Sequence, residues 1–404
     1  MRVLILNQAF YPDVVSTAQH ASDLAAELVA RGHEVVAVSS RRAYDDSRVL
    51  FPKRDRWRGV QIHRVPNFGF GKKAKWRRAA DFGSYFIACC FALLREPRFD
   101  VVLALTSPPL ISVLGAFLAQ VKGARFVFWV MDLNPDEALA AGWLSERSWV
   151  TRSLRLLLGY SLNRADRIVA LDRFMRQRIA GKNVPGHKID VIPPWSHDLL
   201  VKYDPPGRDR FRAEHGLTGK FVVMYSGNHS PCHPLDTLLE AAAELAGHSG
   251  IAFCFVGGGS EFHKVKQFAR AHSLSSVVCL PYQPLQRLSA SLSAADLHAV
   301  VLGDPFVGIV HPCKIYNILA LGSRVLYIGP SPSHITEMLT AAAGARSYIN
   351  RHGDVKAVVA SILAASDDRQ VPAPRSHTAR IYSQETLIPQ LCQVIESGPL
   401  DRHR

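Results

Sequence analysis

No CxxC spacing occurs among the seven cysteines of this chain, Cys89, Cys90, Cys232, Cys254, Cys279, Cys313 and Cys392. Their odd number and scattered placement argue against a zinc or disulfide framework and fit a reducing cytosol. The GxGxxG fingerprint is missing too. Asn7-Gln8-Ala9-Phe10-Tyr11 follows the first strand pattern instead, which argues against a nicotinamide dehydrogenase. There is no Walker loop, no Ser-His-Asp elbow and no helix bearing metal ligands, and the seventeen histidines are dispersed. Long apolar runs are absent. Tyr85–Leu94 is too short to span a bilayer, and Met1–Asn7 enters a strand pattern directly rather than reading as a signal peptide. Neither a tandem repeat nor a low-complexity tract interrupts the 404 residues.

What is present is material for two cores: 48% of residues are hydrophobic and 9% aromatic. The net charge of +14 is unevenly spread. Between Arg41 and Arg78 thirteen Lys or Arg face three Asp, a net of +10. Trp57, Phe68, Phe70, Trp76, Phe82, Tyr85, Phe86 and Ile87 lie among or just after these cations. Basic residues beside aromatics suit an anionic membrane surface, so peripheral attachment through residues 41–94 is the expectation. A solvated basic loop is the plainer alternative. Nucleic acid is not expected as a partner, because no recognised module accompanies the charge.

Short apolar runs alternate with helical patterns along the chain. Strands are expected at Val3–Asn7, Glu34–Ser39, Gln61–Val65, Val101–Leu105, Phe126–Val130, Arg167–Ala170 and Ile189–Ile192. Continuous rather than alternating apolar runs indicate parallel strands buried on both faces. A helix is expected at about 17–31, with Ser16 and Gln19 at capping-box spacing and Gly32 as its stop. The pattern restarts with strands at Phe221–Ser226, Ile251–Val256, Val277–Leu280, Leu297–Leu302 and Val325–Ile328. Helices are expected around 235–245, 262–272, 285–295 and 313–321, with a last one near 384–395 after prolines at 372–374. The fold class is thus α/β, two doubly wound Rossmann-like domains facing across a crevice. Their expected bounds are 1–195 and 219–375, with a Pro-rich linker at 196–218 and a C-terminal helical segment at 376–404.

Chemistry should follow strands, since ligands of open α/β sheets bind beyond the carboxyl ends of the strands. Four stretches qualify. Gly303–Gly322 reads as an irregular loop, then a helix with Pro312 first, Lys314 in its first turn and Gly322 as its stop. Such a helix start can hold a phosphate; an ordinary buried helix with a solvated lysine is the alternative. Gly227–Pro234 offers Asn228 or His233 as anion donors, or is a plain turn. Gly257-Gly258-Gly259 lets the backbone approach a ligand. Asp132 and Asp136 end an apolar strand, where a carboxylate can bind hydroxyls or accept a proton, or merely cap a helix.

Taken in order, RVLILNQAFYPD, HASDLAAELVARGHEVVAVSS, MDLNPDEALAAG, ADRIVALDRFM, KIDVIPPW, MYSGNHSPCHPLDTLLEAAAEL, FVGGGSE, LPYQPLQRLSASLSAADLHAVVL and HPCKIYNILALG make a set. The set resembles family 4 glycosyltransferases of the two-Rossmann-domain, GT-B type, nearest to colanic-acid and O-antigen sugar transferases. The resemblance implies retaining transfer of a sugar from a UDP- or GDP-linked donor, without a cofactor or an essential metal. A lipid-linked sugar or polysaccharide precursor would accept it, at the inner face of the cell membrane. It places catalysis on Lys314, Asp132 and His311, and the diphosphate at His311–Lys314. The base would meet Pro281 and Tyr282; Gly257, Gly258 and Gly259 would line the donor pocket. Ser16 and Thr17 would close on the donor from the first domain. Asn228, His233, Gly308, Cys313 and Asn317 complete the donor-binding set. The family often carries two glutamates eight residues apart on the last loop and helix. By register those positions are Ile309 and Asn317 here, and the usual Arg and Lys of the preceding phosphate loop register with Asn228 and His233. Lys314 would compensate. Epimerisation of a nucleotide sugar and a non-catalytic binding or assembly role are the alternatives.

Overall fold

Strands apolar on both faces need helices on both sides, and the computed structural model has that arrangement twice. It describes residues 1–44, 46–70, 75–197, 200–341, 347–368 and 380–397; the prolines at 372–374 lie outside these. The chain divides into two units, Met1–Pro193 with Leu387–Arg404, and Pro194–Thr386.

The first unit is built on β1 (Arg2–Leu6), β2 (Glu34–Ser40), β3 (Arg54–Trp57), β4 (Val60–Val65), β5 (Val101–Ala104), β6 (Arg125–Trp129), β7 (Arg167–Ala170) and β8 (Ile189–Val191). Their order is β3-β4-β2-β1-β5-β6-β7-β8. Every pairing is parallel except β3 with β4. Val3, Leu4, Ile5 and Leu6 are wholly buried, which explains why β1 is central. The helices are α1 (Ser16–Ala30), α2 (Lys75–Leu94), α3 (Ile111–Lys122), α4 (Asp136–Ala140), α5 (Trp149–Arg164) and α6 (Arg173–Ala180). Strand order reverses between β1 and β5. There Asn7 ties the two following loops together: its Oδ1 accepts from the Ser107 amide, and the Gln8 amide donates to the Ser107 carbonyl.

Three expectations change in this unit. The capping box at α1 does not form. Ser16 is already helical, Val15 stands at the cap without a side-chain bond, and Gln19 donates instead to the Val14 carbonyl at 2.6 Å. Strand β3 is charged, Arg-Asp-Arg-Trp, and carries no apolar pattern to announce it. It pairs because Arg58 and Gly59 both adopt positive φ, 46° and 83°, in a two-residue hairpin turn. Among its described residues the basic region holds β3, β4 and α2, and several of its cations have internal roles. Arg41 donates to the Phe51 carbonyl, and Arg42 to the carbonyls of Asn67 and Ser47. Arg64, its side chain 1% exposed, holds Pro52, Tyr11 and Asp55. Trp57 stacks on Tyr11, and Tyr85 is buried with its hydroxyl donating to the Val38 carbonyl. Lys72 and Lys73, and the side chains of Lys75 and Arg78, lie outside the description.

The second unit opens with α7 (Pro205–Glu214), inside the stretch expected to be a linker. Asp204 accepts from the Gly207 amide to cap it, Phe211 is buried, and the Arg212 guanidinium donates to the Ala294 carbonyl and pairs with Asp296. These contacts make the segment part of this unit. Its sheet holds β9 (Phe221–Asn228), β10 (Ile251–Gly258), β11 (Val277–Leu280), β12 (Leu297–Val301), β13 (Arg324–Ile328) and β14 (Ser347–Asn350), all parallel, in the order β11-β10-β9-β12-β13-β14. Around it lie α8 (Asp236–Glu244), α9 (Phe262–Ala271), α10 (Leu288–Ser293), α11 (Lys314–Ala320), α12 (His334–Ala341) and α13 (Val355–Asp367). The expected helix at 285–295 is a 3₁₀ turn, Leu285–Arg287, followed by α10. The unforeseen β14 is a short edge strand. Helix α14 (Gln384–Glu396) buries Leu391, Cys392 and Ile395. Arg125 of the first unit donates to the carbonyls of Val394 and Ile395, so the chain end returns to that unit.

Candidate functional site

In the second unit strand order reverses between β9 and β12, so the loops leaving their carboxyl ends border a natural crevice. His233 and Gly303 tie those loops together. The His233 Nδ1 bonds the Val301 carbonyl at 2.8 Å, and the Gly303 amide donates to the Cys232 carbonyl at 2.9 Å. His233 is thus a buried structural link. Burial pushes its pKa down to about 3, helped by the cation of Lys314.

The glycine turns serve each other. Gly257 pairs with Gly227 and Gly258 with Asn228 as β9 and β10 run out together. A Cβ on Gly257, at φ 135°, would stand 2.0 Å from the Gly227 carbonyl oxygen. One on Gly259, at φ 121°, would stand 2.3 Å from that of His229. Close approach of two backbone turns requires these two glycines. Gly258 differs, because its open side faces the ring of Tyr282 at 3.0 Å. Tyr282, after Pro281 on the exposed loop beyond β11, is 46% exposed.

His229, which the sequence reading passed over, joins the two turns. Wholly buried among Tyr225, Phe255 and Phe262, it bonds through Nδ1 to the carbonyls of Gly227 and Gly258 at 3.0 and 3.3 Å. Burial first, then Lys314, holds its pKa at about 4. Only its place directly after Gly227-Asn228 distinguished it among seventeen histidines.

The stretch Gly303–Gly322 folds as a 3₁₀ turn, a loop through Gly308 at φ 69°, and α11. Pro312 lies ahead of the cap residue Cys313 rather than at the first helical position, which Lys314 occupies. At the other end Gly322, at φ 68°, is the expected stop. Its amide bonds Leu319 and the Ser323 amide bonds Ile318, completing a Schellman pair. The helix has seven residues, and the Ile315 and Tyr316 amides already bond the carbonyls of Pro312 and Cys313. Fewer first-turn amides face outward than the sequence suggested. Cys313 Sγ contacts the His311 carbonyl at 3.4 Å. His311 is buried, its Nε2 2.5 Å from the Tyr316 hydroxyl and its ring stacked 3.9 Å from His334. Asn317 Oδ1 accepts the His197 amide at 2.8 Å, a structural bond, and Ile309 is 3% exposed.

Lys314 supplies the amine of this site. Its Nζ is enclosed without a hydrogen-bond partner among the described residues and sits 3.3 Å from the centroid of the Tyr225 ring. Desolvation alone drives its pKa well below the ordinary lysine value. For the protonated form the ring face would offset part of that, about 2 kcal/mol for a desolvated cation–π contact.

In the first unit Asp132 follows β6, its amide 3.3 Å from the Thr106 hydroxyl. It keeps some exposed surface, yet the packing around its carboxyl desolvates it. That burial, with Glu137 second, pushes its pKa up to about 8. Asp136 pairs with Lys182 at 2.7 Å in the first turn of α4. Ser16 is exposed at the start of α1, its hydroxyl 3.3 Å from His20 Nδ1, and Thr17 is half-buried beside it.

Two Rossmann-like units, with a buried lysine at the switch point of the second, give the chain the GT-B fold found among glycosyltransferases. Residues 17–195 match the family model described as a glycosyl transferase 4-like domain, which spans most of the first unit. The chain is 24% identical over 402 residues, 96% of each chain, to WcaI of Escherichia coli strain K12, provisionally named a colanic acid biosynthesis glycosyl transferase. Among solved structures it resembles sucrose-phosphate synthase of Thermosynechococcus elongatus (TM-score 0.76, 13% identity, 98% of both chains). It also resembles Anabaena Alr3699/HepE in complex with UDP and glucose (TM-score 0.74, 16% identity, 98% of this chain and 100% of that one).

Proposed function

We propose that this chain is a retaining glycosyltransferase that moves a sugar from a nucleotide-diphosphate donor to a lipid-linked or polysaccharide-precursor acceptor at the inner face of the cell membrane. The observation that carries the reading is Lys314: a lysine without a hydrogen-bond partner at the switch point of a Rossmann-like unit, beside paired glycine turns and the exposed ring of Tyr282. As a nucleotide diphosphate departs, negative charge grows on it. A positioned ammonium stabilises that charge without a metal ion. UDP in HepE supports a uridine donor, and the colanic acid role in WcaI's name supports a surface polysaccharide as the product's destination. Asp132, whose carboxyl burial pushes towards the protonated form, suits a hydrogen bond to an acceptor hydroxyl better than abstraction of its proton.

A non-catalytic role is the second reading. Ile309 is buried and Asn317 is engaged by His197, so neither replaces the family's carboxylates. Mass spectrometry of purified protein with UDP- and GDP-sugars and a host lipid extract separates the readings. A mass shift on a lipid, lost in Lys314→Ala, supports transfer. Interconversion of the free nucleotide sugar means an epimerase. Donor binding without turnover means a non-catalytic relative.

A further inference from the structure

A surface lysine that waits for a phosphate normally stays in water, where its charge is free. Lys314 does not. Its stem enters a slot whose floor is the Tyr225 ring and whose wall is Gly227, where a Cβ would stand 3.1 Å from both Cε and Nζ. The lack of a side chain at Gly227 opens the slot. Among the described residues, His229 and His233 from the β9 turn and loop and His298 from β12 act electrostatically with the amine, while Tyr225 contributes its ring face. None is an anion, and none hydrogen-bonds Nζ. An ammonium in such a place loses its hydration and gains no counter-charge, whereas a neutral amine fits.

We propose that Lys314 is stowed in the ligand-free protein and that a diphosphate draws its amine out of the slot, the lysine taking a proton from solvent as it leaves. The inference rests on the donor-binding reading above and adds a proton to it. The phosphate oxygens supply the charge and hydrogen bonds that the slot lacks. Tyr225 is vacated and remains closed by its own bond from the hydroxyl to the Asn228 carbonyl at 2.7 Å. Binding of the anion and protonation of the lysine become one event. In the pH range between the lowered value of the stowed amine and the ordinary value near 10.4, donor affinity then falls up to tenfold for each pH unit.

Calorimetric titration of the full chain with UDP and with GDP, repeated in buffers of different ionisation enthalpy, reads the protons taken up per nucleotide. The expected result is uptake approaching one proton in the wild type and none in Lys314→Met or Lys314→Arg, the guanidinium being always charged. Near-ultraviolet circular dichroism checks that both variants fold, and the wild-type buffer dependence stands without them. Nucleotide binding with no proton uptake overturns the stowed lysine and leaves the transferase reading intact. Uptake that persists in Lys314→Met assigns the proton to the neighbouring histidines and overturns the inference. Failure of both nucleotides to bind overturns this inference and the donor-site reading together.

Discussion

The Nζ of Lys314 stands 3.3 Å from the centre of the Tyr225 ring and has no hydrogen-bond partner among the described residues. Stability and activity should therefore respond to it in opposite directions. Lys314→Met keeps the stem and removes a buried polar atom, so the ligand-free protein should gain on the order of 1–3 kcal/mol. Turnover in Lys314→Ala should fall by about 10²–10³, the usual effect of losing one donor aimed at developing charge. Thermal melts at neutral pH and initial rates measure the two. A destabilised Lys314→Met would mean that the amine supports the fold.

Among the buried histidines of the second unit, His229, His233 and His298 have pKa values held at about 4, 3 and 4 by desolvation. Each is depressed below its unfolded value near 6.5, so the unfolded chain binds more protons through that window. Their stabilisation is complete above pH 6.5 and is lost as pH falls towards 4. Each titrating group contributes a slope of up to about 1.4 kcal/mol per pH unit. Melting followed between pH 7 and 4 should show this loss, and His298→Gln should flatten it.

The three consecutive glycines should not behave alike. Gly257→Ala and Gly259→Ala meet carbonyl oxygens at positive φ, 2.0 and 2.3 Å away, and each should cost roughly 1–3 kcal/mol or more in backbone strain alone. Gly258→Ala meets only the Tyr282 ring, so it should leave the melting temperature nearly unchanged and raise the donor KM. Equal destabilisation by all three would contradict the assignment of Gly258 to the ligand side.

These differences mark where sequence is readable. β5 and β10 announce themselves because strands buried on both faces must be almost wholly apolar. β3 does not, since an exposed edge strand tolerates Arg-Asp-Arg-Trp and its pairing depends on the turn at Arg58-Gly59. Lys314 was visible as a cation beside a helix start, and the Gly322 stop was visible too. The slot was not, because it is made by Tyr225 and Gly227, almost ninety residues earlier in the chain. Likewise Arg64 counted towards a membrane-facing charge until its carbonyl partners appeared.

The proposed membrane attachment has exposed apolar surface to support it as well as charge. Ile87, Phe91 and Leu94 form a stripe on α2 that is 58%, 62% and 65% exposed, while Tyr85, Cys89 and Leu93 bury the opposite face. Phe117 and Val121 on α3, and Trp149 and Leu156 on α5, are exposed as well, and α3 packs between α2 and α5. No helix among the described residues is long and apolar enough to cross a bilayer. Inserting apolar side chains is indifferent to salt, whereas attraction of cations to headgroups is screened within about 3 Å at 1 M. Sedimentation with phosphatidylcholine–phosphatidylglycerol vesicles should therefore persist in part at 1 M salt. The exposed pair Phe91→Ser with Leu94→Ser should weaken it at least tenfold, since each buried side chain of this size contributes about 1.5–3 kcal/mol. Complete release by salt, with the double variant unaffected, would return the attachment to charge alone; no sedimentation of the wild type would remove the membrane from the proposal.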